Sequence, residues 1–187
     1  TLERPIRWDD IVVNQRAIDF LNDKTEDGVY NPDADGVTHI NIYTKGKTNL
    51  GRALTNLSDH GFVHPEFGNF SSVEGFWYWY LTGKKHDELK GLGGFAAKKL
   101  GKTLVADRID SEELMEGKHK EVILEAIRCK LRQNKVLLGE LVKTNLPLVH
   151  YYFYGSEGKY KVVELPQYDW IVEEIERVRE VMKVYLK

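Results

Sequence analysis

The 187 residues suit one domain with enough length to bury a real core, and 42% apolar with 30% charged content excludes a collagen-like, low-complexity or disordered chain. A net charge of −2 excludes a generic nucleic-acid coat protein, and the single cysteine, Cys129, excludes an internal disulfide framework, pointing to a reducing cytoplasm. No apolar run approaches membrane-spanning length, and "TLERPIRWDD" at the start does not read as a signal peptide.

In chain order, "WDDIVVNQRAIDFLND" (8–23) repeats Ile11, Ile18, Phe20 and Leu21 at helical spacing, and a turn-rich acidic loop follows over 24–36. "VTHINIYT" (37–44) alternates and is rich in β-branched residues, which predicts a strand. Residues 45–71 read as irregular. Ser71 or Ser72 can cap a helix running through Gly83. "DELKGLGGFAAKKLG" (87–101) reads as an interrupted helix closed by Gly101. Residues 117–134 form an amphipathic helix with Val122, Ile123, Ala126, Ile127, Cys129 and Leu131 on or beside its apolar face. A short helix "KVLLGELVKTN", strands "PLVHYYFYG" and "KYKVVEL" around the turn Gly155–Gly158, and a closing helix over 168–187 complete the chain. The expected class is α+β, helix-dominated, with a few short strands in a single compact domain over 1–187.

Charge is uneven along the chain. Residues 1–36 hold 4 basic and 9 acidic side chains, while 84–135 hold 13 basic and 9 acidic ones. The second segment offers a local basic face to phosphates, with a solvated mixed-charge surface as the ordinary alternative. "AAKKLGKT" (96–103) imitates a phosphate-binding loop, but helix-like residues precede it and "TLVADR" after it reads as extended, the reverse of the order that chemistry needs. "GLGGFA" (91–96) lacks the strand–helix–strand frame of a dinucleotide site. The six histidines do not fall at metal-ligand spacing, so no metal or cofactor is expected.

The stretch "SSVEGFWYWYLTGKK" (71–85) concentrates the chemistry. Five consecutive aromatics, Phe76 to Tyr80, step by about 100° each and wrap the whole helix circumference. Either the helix is buried on several sides or some rings line a cavity. Glu74 and Tyr78 share one face, and Trp77 is three residues from Glu74. A carboxylate in the first turn of so apolar a helix is partly desolvated, which raises its pKa and suits it to proton transfer. The ordinary alternative is a capping glutamate above a core helix.

Several segments, in order, resemble the NADAR superfamily, which includes the YbiA-like proteins. "INIYTKG" (40–46) is similar to its opening strand, and "LTNLS" (54–58) to its "FTNFS" turn. "FGNFSSVEGFWYWY" (67–80) resembles "dGxxYPTSEHxFQAxK", with Glu74 on the family glutamate. "AKKLG" (97–101) resembles "AxxLGR", and residues 122–150 resemble "MxxALxxKFxQNxxLxxxLLxTGxxxLVE". "YGSEG" (154–158) stands where "WGxG" is expected, and "IVEEIERVR" (171–179) is similar to the closing helix. The resemblance covers 37–179 as a NADAR-like core, with 1–36 as an N-terminal extension. The chain departs from the pattern at Gly75, Leu81, His150, Tyr151 and Tyr154, where the family carries histidine, lysine, glutamate, an acidic residue and tryptophan.

The resemblance implies N-glycosidic chemistry. Members act on phosphorylated ribosylamino-pyrimidines or remove ADP-ribose from guanine in DNA or RNA, reversing DarT-type toxins, in some cases as phage counter-defence. It implies here an ADP-ribosyl-guanine glycohydrolase of the host bacterial cytoplasm, with single-stranded DNA as the expected partner and no membrane. The alternatives are a small-molecule N-glycosidase and an inactive binder of ADP-ribose or toxin. Glu74 is the expected acid–base group. With Leu81 at the helix lysine position, Lys45 is the candidate amine for a ring-opening, Schiff-base route, with Lys47 behind it; an exposed loop pair is their ordinary reading. Expected substrate contacts are Arg52 as a pyrophosphate clamp, Asn56 on ribose hydroxyls, Trp77 and Tyr78 as stacking rings, and Tyr154 with Gly155 at the "WGxG" position. Lys118 and Lys120 open a helix, where cations oppose the dipole unless an anion is near; Glu116 and Glu121 are the alternative partners.

Overall fold

A computed structural model describes residues 30–107 and 118–186, the side chains of Val105 and Lys118 excepted. The helix expected over 8–23 and the start of the acidic loop lie outside the described residues. The class is α+β, with short strands between helices. Contacts group the chain into two units, one running to Arg52 and resuming at Val142, the other spanning Ala53–Leu141.

In the first unit, β1 (Ile40–Asn41) pairs in parallel with β4 (Leu148–Val149). The strand expected over 37–44 thus keeps two ladder residues. Asp35 takes the Asn41 amide on its carboxylate at 3.0 Å, and Gly46 turns back to the Tyr43 carbonyl at 2.9 Å, so the chain folds off the ladder at both ends. The Asn41 side chain then acts as one more peptide group: its amide donates to the Tyr151 carbonyl at 3.0 Å and accepts from the Tyr151 amide at 3.1 Å. A short helix α1 (Asn49–Ala53) follows the turn. β5 (Tyr151–Ser156) and β6 (Lys159–Glu164) form the foreseen hairpin. Its Gly155 has φ +101°, and a Cβ there would meet the Lys159 carbonyl at 2.4 Å, so glycine is required. The closing helix α6 (Asp169–Tyr185) buries Ile175 and Val178.

The second unit opens with a hairpin the sequence does not announce, β2 (Phe62–His64) against β3 (Gly68–Phe70). Three-residue strands are too short for alternation to be read. Helix α2 (Val73–Leu81) follows, capped by Ser72, whose hydroxyl accepts from the Gly75 amide at 3.0 Å. After a 3-10 turn (Asp87–Gly91) come α3 (Gly94–Thr103), α4 (Lys118–Gln133) and α5 (Lys135–Lys143). Two expectations are corrected here. Gly101 does not close its helix, which continues to Thr103, and the residues after it form a 3-10 turn (Val105–Asp107) instead of an extended segment. Gly101 serves interhelical approach: a Cβ there would lie 2.2 Å from the Tyr78 ring.

The aromatic run is mostly core. Phe76 is fully buried, with Tyr78 and Trp79 close to it, while Trp77 and Tyr80 are half-buried. Phe76 lies 5.2 Å from the His64 ring and 4.9 Å from Phe70, and Trp79 lies 5.3 Å from Phe70. Helix α2 can be apolar nearly all round because the hairpin, α3 and α4 each pack on it. Each such buried ring contributes about 1.5–3 kcal/mol of burial.

Candidate active site

Glu74 sits in the first turn of α2, where the dipole favours a negative group. Its amide donates to the Asn56 carbonyl at 2.8 Å, so the turn 53–58 is docked on the helix entry. Gly75, where the family pattern has histidine, leaves no room for a side chain: a Cβ would stand 2.6 Å from the Leu89 carbonyl of the 3-10 turn. Glu74 keeps some accessible surface, yet burial pushes its carboxyl up to about 7. Lys98 and Lys102 of α3 pull the other way without overcoming that burial. Among the described residues no side chain forms a hydrogen bond or ion pair with this carboxyl. A carboxylic acid half-protonated near neutrality, free of side-chain partners among the described residues and under the field of two cations, can both give and take a proton.

Lys98 and Lys102 were not expected as site residues. They are four apart on α3, and Gly101 between them brings that helix against Tyr78, the residue one turn beyond Glu74. The available signal was the failed phosphate-loop imitation, two of whose three lysines, Lys98 and Lys102, lie on one helical face.

Lys130 was also missed. It is fully buried on α4, and its Nζ donates to the Ala53 carbonyl at 2.7 Å, the Thr55 carbonyl at 2.7 Å and the Ser58 hydroxyl at 2.8 Å. Ser58 passes its own proton to the Ala53 carbonyl at 2.7 Å, so its oxygen is the acceptor toward Lys130. Three acceptors around one nitrogen match the three donors of an ammonium. Burial alone pulls this amine down to about 7, and the three acceptors oppose that pull. The signal was in the periodicity: Ile123, Ala126, Ile127 and Lys130 share one helical stripe, so a lysine occupies an apolar face.

The remaining expected residues divide between the units. Asn56, Glu74, Trp77, Tyr78 and Lys120 belong to the second. Tyr78 is packed under Gly101, Trp77 and Lys120 are half-buried, and the Lys118 side chain lies outside the described residues. Glu121 pairs with Arg128. Lys45, Lys47, Arg52, Tyr154 and Gly155 belong to the first unit. Lys45 is exposed on the Tyr43–Gly46 turn. Lys47 is exposed, its amide on the Asp35 carboxylate at 2.7 Å and its Nζ on the Asp33 carbonyl at 3.2 Å. Arg52 spans its own loop, donating to the Gly46 carbonyl at 2.5 Å and to the Asn49 side chain. Tyr154 is exposed on β5. Among the described residues no cluster of His, Cys, Asp or Glu could hold a metal ion, and no helix is long and apolar enough to cross a membrane.

No protein-family model and no curated protein matches the chain. Its structure is similar to the NMR structure of the Escherichia coli protein YbiA, with a TM-score of 0.55 and 16% identity over 79% of this chain and 86% of that one. The α+β fold of this chain is therefore YbiA-like.

Proposed function

We propose that the protein is an N-glycosidase that removes ADP-ribose from guanine bases in DNA or RNA, reversing a DarT-type toxin as phage counter-defence. The observation that carries this reading is the Glu74 carboxyl, held near neutrality by burial at the entry of α2, with no side-chain hydrogen bond or ion pair among the described residues. The YbiA-like fold and the ordered NADAR-like segments support it.

The bond to be opened joins the anomeric carbon of ribose to the exocyclic amine of guanine. In a direct route, the protonated Glu74 gives its proton to the leaving nitrogen as the carbon–nitrogen bond breaks and its electron pair goes to nitrogen. Water adds to the oxocarbenium-like carbon, and its proton returns to Glu74, leaving free ADP-ribose and restored guanine. Lys98 and Lys102 supply positive charge for the pyrophosphate, and the half-buried Trp77 offers a face to a planar base. Lys45, an exposed amine, is the group a ring-opening route would use.

The test is incubation with an ADP-ribosylated single-stranded oligonucleotide, followed by mass analysis of the base. Restored guanine with wild type and an intact adduct with Glu74→Gln is the expected outcome. An intact adduct with both, or restoration by the variant at the wild-type rate, overturns the reading. Sodium cyanoborohydride during turnover separates the routes, since only an imine leaves a covalent adduct, expected at Lys45 if that route operates.

A further inference from the structure

The most demanding polar site among the described residues lies away from the Glu74 carboxyl. Lys130 is 2% exposed, in the middle of the apolar stripe of α4, and spends every donor on one short segment: the carbonyls of Ala53 and Thr55 and the hydroxyl of Ser58. Burying an ammonium is costly, so a lysine here is far from the simplest way to fill a core. A methionine or leucine would pack against the same neighbours without that cost. What the lysine adds is geometric, because it gathers three oxygens of one turn around a single atom. His60 joins the cluster, its Nδ1 3.1 Å from the Ser58 hydroxyl.

That turn has one further connection. The residue after Thr55 is Asn56, whose carbonyl accepts the amide of Glu74 at 2.8 Å. A continuous chain of bonds therefore runs from the core of α4 through the turn to the backbone of the candidate acid. The Glu74 amide is one of the first-turn donors that a helix leaves unsatisfied, and here the turn satisfies it. If the turn relaxes, water reaches the first turn of α2, and the carboxyl that burial holds near neutrality is resolvated.

We infer that Lys130 is a positioning residue: it fixes the turn 53–58 so that the Asn56 carbonyl locks the first turn of α2 and keeps the Glu74 carboxyl in its partly desolvated setting. The inference rests on the proposed role of Glu74 for its kinetic consequence, but its structural core can be measured without any substrate.

The experiment compares wild type with Lys130→Met, with Ser58→Ala as the milder variant that removes one of the three acceptors, and with Leu141→Ala as a control. Leu141 is buried on α5, apart from this network, and its truncation destabilises the fold by cavity formation. Three quantities are read on the full chain: thermal stability, hydrogen exchange of the Glu74 amide, and titration of the Glu74 carboxyl by carbon-13 NMR. Lys130→Met and Ser58→Ala are expected to speed exchange at Glu74 and to move its titration down toward the ordinary carboxylate range, with Leu141→Ala lowering stability but moving neither. On ADP-ribosyl-guanosine, kcat should fall about tenfold or more in Lys130→Met with KM held within about twofold, as for a mispositioned group. If Lys130→Met does not fold, Ser58→Ala alone decides. Unchanged exchange and titration in the folded variants overturn the inference even where wild type is an active glycosidase. A moved titration in a protein that never cleaves the substrate upholds the positioning role and overturns the proposed reaction instead.

Discussion

Two buried ionisable groups in the second unit make a useful pair. Burial pushes the Glu74 carboxyl up to about 7 and pulls the Lys130 amine down to about 7, so desolvation alone gives them the same standing. Their surroundings separate them. Lys130 has an acceptor for each of its three protons, and nothing about it invites a ligand. Glu74 faces two cations on the next helix and no hydrogen-bond partner among the described residues. A buried charge that is fully bonded builds structure; one left unbonded is stored reactivity, held in place by the rest of the fold. The same contrast holds for the lysines. Lys45 and Lys47 were the sequence candidates and are exposed, whereas the buried lysine lies in a helix read as core.

The sharpest way to break the comparison is Glu74→Gln. Activity should fall by about a hundred- to ten-thousand-fold if Glu74 is the acid, since that is the range proton transfer contributes. Stability should move the other way. The folded carboxyl has the higher pKa, so between about 4.5 and 7 the folded state binds more protons than the unfolded one, and stability falls as pH rises through that window. Glutamine removes the penalty, raising stability by about 1–3 kcal/mol at pH 8 and changing it little at pH 4. Paired melts at the two pH values check the sign; a variant that melts lower at both would make Glu74 a cap.

Lys130→Met should do the opposite, costing about 2–5 kcal/mol by removing the three bonds that tie the turn 53–58 to α4 and leaving the Ala53 and Thr55 carbonyls only their bonds from Ser58, measured by denaturant unfolding. A neutral effect would mean that the ammonium's desolvation cancels its three bonds, and the contrast with Glu74 would collapse. Gly101→Ala probes the helix pair itself. Its methyl would overlap the Tyr78 ring, so a loss of about 1–3 kcal/mol is expected, with activity falling further as α3 moves off Glu74. The smallest effect belongs to Lys98→Met and Lys102→Met. Each cation lowers the Glu74 pKa, so removing one should shift the Glu74 titration, and the matching limb of the pH–rate profile, upward by a few tenths to about one unit. A downward shift would show that the lysines do not act on this carboxyl.

Much of the molecule was legible before its structure. The aromatic helix with its serine cap, the amphipathic helix ending at Gln133, the hairpin around Gly155 and Gly158 and the closing helix all follow from periodicity and turn chemistry, which are local. Glu74 stood out for the same reason: a charge beside five aromatics is visible in one line of text. What tertiary structure alone decided were features set by residues far apart in the chain. The hairpin over 62–70 is held by its partner helix and not by propensity, because strands this short have no pattern of their own. Gly101 looked like a helix stop until the Tyr78 ring explained it, since a close approach has no signature in sequence. Lys130 was printed on an apolar stripe, but its three acceptors lie more than seventy residues away. Periodicity reports which face of a helix is buried; it carries no information about which oxygen will be waiting there.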